Sequence, residues 1–195
     1  ADGHHRIGAM QHIKKINPLI ERFMIAAFPS NECKIFDYNR VIKDLNGLSK
    51  DQFIKNLSND FKVLKTDKAH KPTTKNEFGM YHDNQWYILE FINPFTFNNF
   101  IDALDINILN QFCLTKMLNI KDVNNDERIR FIAGCHGLSA LEKKVDENPD
   151  SVAFSIFPSK ITDVIRVADN NLTMPPKSTW FDPKPLDGLV VYEFE

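Results

Sequence analysis

The stretch "EFGMYHDNQWYILEF" (residues 77–91) decides the fold class. Two arms rich in aromatic and aliphatic residues flank Asp83-Asn84, a pair suited to the tight turn of a β-hairpin. Side chains alternate along both arms, so each arm presents different residues to its two faces. A hairpin in the middle of the chain leads us to expect a sheet built from local strand pairs.

Upstream of the hairpin, Thr66 to Asn76 is polar and Lys-rich and reads as an exposed loop. "LSKDQFIKNLSNDF" (48–61) has a capping Ser49 and apolar Phe53, Leu57 and Phe61 four apart, the pattern of an amphipathic helix. "CKIFDYNRVI" (33–42) reads as a strand. "RFMIAAFP" (22–29) reads as a short buried one, with Ser30-Asn31 as the turn between them. Gly3 to Ile16 predicts a turn feeding a helix, with Ile7, Met10, Ile13 and Lys14 at helical spacing, ended by Asn17-Pro18.

Downstream, Phe97 to Leu118 predicts one or two helices, then "RIRFIAG" (128–134) a strand and "GLSALEKKVDEN" (137–148) a helix. "SVAFSIFP" (151–158), "SKITDVIRVADNN" (159–171) and "LVVYEFE" (189–195) follow as strand, helix and closing strand. Strand and helix alternate in the last third while hairpins dominate the middle. The fold class is therefore mixed, α/β in the sense of α+β: a mixed sheet with hairpins and flanking helices. The expected organisation is a single mixed domain over 1–195, or the C-terminal lobe of a longer protein.

Composition narrows the function. The chain has 195 residues, 43% apolar and 26% charged, with 16 Phe and only 7 Gly, which excludes disordered and collagen-like classes. A net charge of −2 gives no basic stripe for nucleic acid. No apolar run approaches the roughly 20 residues of a membrane span. Three scattered cysteines, Cys33, Cys113 and Cys135, fit a reduced, cytoplasmic setting better than a disulfide framework.

Two stretches carry candidate chemistry. In "ADGHHR" (1–6) a glycine precedes a helix start, where unpaired N–H groups and the dipole's positive end favour anions. Arg6 adds a bidentate donor for phosphate or carboxylate. Asp2 can cap the helix, fix a histidine tautomer or bind Mg²⁺. The combination describes an anion site, and equally a plain helix N-terminus with a capping Asp and surface histidines. In "MPPKSTWFDPKP" (174–185) two prolines stiffen the approach to Lys177, Ser178 and Thr179, which offer an ammonium and two hydroxyls in a row.

Asp37, Asn39 and Arg40 stand at a strand end, where Arg40 is either structural or an anion clamp, and His136 lies between glycines at a strand-to-helix turn. His4, His5, His12, His82 and His136 raise the question of zinc, but no His/Cys pair shows its standard spacing. The GxSxG elbow, the GxxxxGK[ST] loop and GxGxxG are all absent.

"ADGHHR", "DYNRVIKDLNGLS", "EFGMY", "VAFSIFP" and "MPPKSTWFDPKPLDGLVVY" occur in that order along nearly the whole chain. On these motifs the chain resembles the C-terminal part of the DUF1015 family of domains of unknown function. Members of that family are longer and carry ADGHHR near the middle, so the resemblance implies an upstream half before residue 1. The DGHHR element is also similar to the phosphate-binding motif of the ParB/sulfiredoxin-like superfamily, which includes kinases acting on free L-serine.

That resemblance implies nucleotide or pyrophosphate chemistry without choosing among the superfamily's activities; ParB-type DNA binding would need a helix-turn-helix and a basic surface, and a sulfiredoxin a Cys where this motif has His4 or His5. The expectation is therefore transfer of a phosphoryl group from pyrophosphate, ADP or ATP to the serine hydroxyl, giving O-phosphoserine with Mg²⁺ as cofactor. On that expectation Asp2, His4 and His5 are the candidate catalytic residues, with Asp2 also the candidate metal ligand. Gly3, Arg6, Lys177, Ser178 and Thr179 would bind phosphate, and Arg40, Asn39 and His136 substrate. The acidic base expected in such kinases would lie upstream of residue 1. The alternative is a non-catalytic nucleotide- or phosphate-sensing module. Small molecules are the expected partners on either reading, with neither nucleic acid nor membrane.

Overall fold

The computed structural model describes residues 4–20, 22–29, 31–93, 97, 99–184, 186, 188–191 and 193, with side chains from residue 7 onward. The chain divides into two compact units, residues 1–34 with 181–195 and residues 35–180.

In the first unit helix α1 spans His4–Ile16. It stops where the sequence requires: Pro18 lacks an N–H, and the Asn17 side chain turns back to accept from the Leu19 N–H at 3.2 Å. The apolar run Arg22–Pro29 is a correction to the sequence reading. It is exposed, forms no strand, and pairs with none among the described residues. A short apolar run reports only a tendency to be buried; a strand also needs a hydrogen-bonded neighbour. Leu189–Val191 likewise form no strand, and Tyr192, Phe194 and Glu195 lie outside the described residues.

The second unit holds the sheet. From residue 34 onward the elements are β1 (Lys34–Phe36), β2 (Tyr38–Ile42), α2 (Lys50–Leu57), β3 (Phe61–Thr66), β4 (Glu77–His82) and β5 (Gln85–Phe91). Then come α3 (Asp105–Leu109), continued by a π-helical turn Asn110–Thr115, β6 (Ile129–Ala133), α4 (Ser139–Asp146), β7 (Val152–Ile156), α5 (Ile161–Asp169) and β8 (Trp180–Asp182). Six strands form one sheet in the order β3-β5-β4-β7-β2-β6. Every ladder of the six-stranded sheet is antiparallel, so the class is α+β and the expected mixed pairing gives way to a uniform one.

The β4–β5 hairpin forms as read, with Asp83 and Asn84 both at positive φ (51° and 55°). Helix α2 opens on a capping box: the Ser49 hydroxyl accepts from the Gln52 N–H while the Gln52 side chain accepts from the Ser49 N–H. It ends at Leu57, and Phe61, expected on the helix, instead begins β3.

Alternation along the strands divides the core in two. Ile42, Phe78, Met80, Leu89 and Phe154 pack on one face against Phe53 and Leu57 of α2 and against Ile108, Leu109, Cys113 and Leu114. Val41, Tyr81, Trp86 and Ala153 pack on the other against Leu141 and Val145 of α4. Adjacent Val41 and Ile42 fall in different clusters, as a period of two demands. Burial of a side chain such as Phe53, 0% exposed, contributes about 1.5–3 kcal/mol.

The loop 67–76 is held more firmly than its polarity suggested. Ser155 Oγ donates to the His70 carbonyl at 2.7 Å, and Glu77 Oε1 accepts from the Thr73 N–H at 3.0 Å. Lys75 pairs with Asp163 at 2.9 Å. Gly79 makes this possible, because a Cβ there would lie 2.2 Å from Ser155 Oγ and 2.3 Å from the His70 carbonyl oxygen.

Candidate anion-binding site

The first residues of β2 enter the sheet between β6 and β7. Their alternation sends Tyr38 and Arg40 to one face and Asp37 and Asn39 to the other. Each pair builds a different arrangement.

On the Arg40 side the guanidinium is fully buried, 0% exposed, and lies 5.4 Å from the centre of the Phe131 ring, its register partner on β6. It donates to two main-chain carbonyls, those of Tyr38 and of Lys177, the latter at 3.2 Å. Its Nε has no partner, and among the described residues no carboxylate pairs with it. Burial pushes its pKa down to about 9, with Tyr38 acting in the opposite direction, so the group stays charged at neutral pH.

Lys177, exposed, sits in a turn with φ of 54°, a left-handed conformation that β-carbon-bearing residues seldom adopt. Its ammonium lies 5.7 Å from the Tyr38 ring centre and 5.9 Å from that of Phe131. Those two rings are 5.7 Å apart, and Trp180 packs on Tyr38 at 5.6 Å. The turn is tied at three carbonyls: Ser178 Oγ donates to Pro175 at 2.6 Å, Arg40 to Lys177, and Ser159 Oγ to Ser178 at 3.2 Å. Two cations therefore share one aromatic surface. Aromatic faces soften the repulsion between them and leave the exposed ammonium available to an anion.

On the opposite side Asp37, 2% exposed, accepts from Asn39 Nδ2 at 2.6 Å through Oδ2. Its Oδ1 lies 3.0 Å from Lys71 Nζ, an ion pair off the line a hydrogen bond needs, and accepts no hydrogen bond. Gly134 gives the carboxylate its room, since a Cβ there would fall 2.2 Å from Oδ1. Asn39 is committed at both ends, its Oδ1 accepting from the Ile156 N–H at 3.0 Å. His136 is exposed in the short turn Gly134–His136 that follows β6, and that turn is tied to Asp37 through the Gly134 N–H at 2.8 Å.

The structure thus brings Arg40, Lys177 and Ser178 together, with Ser178 buried and its hydroxyl engaged within the turn, and leaves Thr179 half-buried beside them. Asn39 faces the other way. Asp2 and Gly3 lie outside the described residues, as do the side chains of His4, His5 and Arg6; the backbone of α1 starts at His4. Sequence reasoning missed Lys71 as the partner of Asp37, and it missed the Tyr38–Phe131 surface. The alternation in "DYNR" does place Tyr38 and Arg40 on one face, whereas nothing local to β2 names Phe131 on a strand about ninety residues later.

Residues 1–107 match the family described as Protein of unknown function (DUF1015). The chain belongs to that family. The match takes in the DYNRV segment and the hairpin and ends before "MPPKSTWF". No curated protein matches the chain in sequence. Among solved structures, a free serine kinase mutant in complex with AMP matches at 16% identity and a TM-score of 0.52, covering 93% of this chain and 66% of that one. Another free serine kinase mutant, with ADP, matches at 16% identity and a TM-score of 0.51, with the same coverage. SbnI with C-terminal truncation from Staphylococcus aureus matches at 10% identity and a TM-score of 0.52, covering 93% of this chain and 61% of that one. The DUF1015 chain therefore shares a fold with these proteins and spans about two thirds of their length or less.

Among the described residues no three His, Cys, Asp or Glu side chains converge on a metal position. No described helix is long and apolar enough to cross a membrane.

Proposed function

We propose that this DUF1015 protein is a phosphotransferase that moves a phosphoryl group from pyrophosphate, ADP or ATP to the hydroxyl of free L-serine, giving O-phosphoserine. The observation that carries the reading is the pair of cations on the Tyr38–Phe131 surface, one buried without a carboxylate and one exposed. The shared fold with free serine kinases supports the reaction class.

In such transfer the serine Oγ–P bond forms as the donor's bridging P–O bond breaks, and catalysis is mostly positioning and charge stabilisation. Lys177 meets the negative charge that develops on the transferred group. The Thr179 hydroxyl is available to a phosphate oxygen, and His136 to the substrate. Arg6 and the N–H groups at the start of α1 are assigned to donor phosphate, and His4 or His5 to the hydroxyl proton. Mg²⁺ would be held by Asp2 with donor phosphate oxygens, where it neutralises phosphate charge.

Phosphorus NMR of the protein with Mg²⁺ and L-serine, and pyrophosphate, ADP or ATP in separate tubes, tests this. A serine-dependent phosphomonoester signal in one tube is the expected result and identifies the donor. Silence in all three, with donor resonances still broadened by the protein, would replace the kinase with a phosphate-sensing module.

A further inference from the structure

Two costly features meet at one peptide unit. The first is a buried guanidinium that no carboxylate neutralises among the described residues, a state that burial penalises unless its N–H groups are well used. The second is a lysine held at φ 54°, a left-handed conformation unfavourable for a residue with a Cβ and kept only where its surroundings impose it. Arg40 spends one N–H on the Lys177 carbonyl, so the buried charge fastens the residue whose backbone is strained.

The other fastenings act on the same turn. Pro175 and Pro176 restrict the approach, Ser178 closes onto the Pro175 carbonyl, and Ser159 holds the Ser178 carbonyl. A surface loop with no task for its lysine has no need of this much restraint.

We propose that Arg40 is a positioning residue for Lys177. By holding the Lys177 carbonyl it keeps the turn left-handed and lays the ammonium on the Tyr38 and Phe131 rings, where it meets a phosphate group. Arg40 itself touches no ligand. This rests on the reading of Lys177 as a phosphate-binding residue and departs from the expectation that Arg40 clamps the substrate.

The test is a double-mutant cycle read by pyrophosphate affinity, which is independent of turnover. Lys177→Ala should weaken binding about tenfold, the loss of one charge-assisted contact. Arg40→Met, which keeps the buried volume, should weaken it by a similar factor. The double variant should lose no more than either single one. Additive losses would mean that Arg40 binds the anion directly, and unchanged binding in a folded Arg40→Met would end the proposal. If Lys177→Ala binds as the parent does, it is the functional reading of Lys177 that fails, not the Arg40–Lys177 linkage.

A measurement on the unaltered protein guards against unfolding of the Arg40 variant. With ¹⁵N-arginine labelling, the buried Arg40 side-chain resonances should hold their positions as pyrophosphate is added, because their partners are carbonyls on both sides of the titration. Shifts that track saturation like those of a direct ligand would overturn the proposal.

Discussion

Replacing Asp105 with asparagine should stabilise the protein at neutral pH. Asp105 opens α3, is 7% exposed, and accepts from the Asn76 N–H at 2.5 Å. Its chain neighbours Leu104 and Ile106 belong to the apolar cluster that includes Val167 of α5. Burial pushes its carboxyl up from 3.8 to about 6, against the pull of the Asn76 N–H and the Lys75 ammonium. A folded-state pKa above the unfolded one means that the folded protein holds the proton more tightly. Stability is then full below about pH 4 and is lost as pH rises to about 6.

A displacement of about two units corresponds to about 3 kcal/mol at neutral pH. Asparagine keeps an oxygen for the Asn76 N–H and cannot ionise, so Asp105→Asn should recover about 2–3 kcal/mol near pH 7 and almost nothing near pH 4. Urea unfolding of both proteins across that range, at fixed ionic strength, reads the difference from the midpoints if the slopes agree. A gap that does not change with pH would show that Asp105 is not the titrating group. A variant less stable at neutral pH would show that the carboxylate stabilises through its hydrogen bond and ion-pair neighbours more than burial costs it.

Gly79→Ala should destabilise by about 1–3 kcal/mol or more, because its new Cβ meets Ser155 Oγ and the main-chain carbonyl of His70; thermal melting, with hydrogen exchange at His70 and Thr73, would show the loop 67–76 loosening first. Ser49→Ala should cost about 1 kcal/mol through loss of the α2 cap, measured by urea unfolding, and no change would mean that Gln52 alone suffices.

The elements legible in the sequence are those fixed by residues close together in it. Asp83-Asn84 dictate a turn that any flanking strands must follow, and Ser49 with Gln52 closes a cap within four residues. Helices α4 and α5 and strand β7 follow in the same way from short periodic runs bounded by turn residues. Errors gather where the deciding contact is remote. Phe61 keeps a helical spacing from Leu57, yet its place is set by pairing with Phe91 on β5. Of the helical stretch expected over 97–118, a five-residue helix, Asp105–Leu109, runs into a π-helical turn, Asn110–Thr115, where Cys113 and Leu114 join the core cluster while the backbone slips out of the 3.6-residue period.

The candidate site divides along the same line. That Lys177 stands in a stiff, polar turn is visible in "PPKST", and that Arg40 opens a strand is visible in "DYNRV". What each residue does is not, because it depends on which face of β2 looks toward which neighbour. Alternation places Arg40 with Tyr38 and away from Asp37, and the antiparallel register with β6 then sets Phe131 beneath it. Only those two facts show where Arg40 lies: 0% exposed, with its N–H groups on the carbonyls of Tyr38 and Lys177. One strand thus separates a carboxylate–lysine pair, Asp37 with Lys71, from a pair of cations, and does so with a four-residue segment whose order alone alternates the charges. An insertion of one residue between Asp37 and Arg40 would bring acid and base to the same face and let them neutralise each other. The spacing of DYNR, more than its composition, is what keeps the Arg40 guanidinium apart from the Asp37 carboxylate.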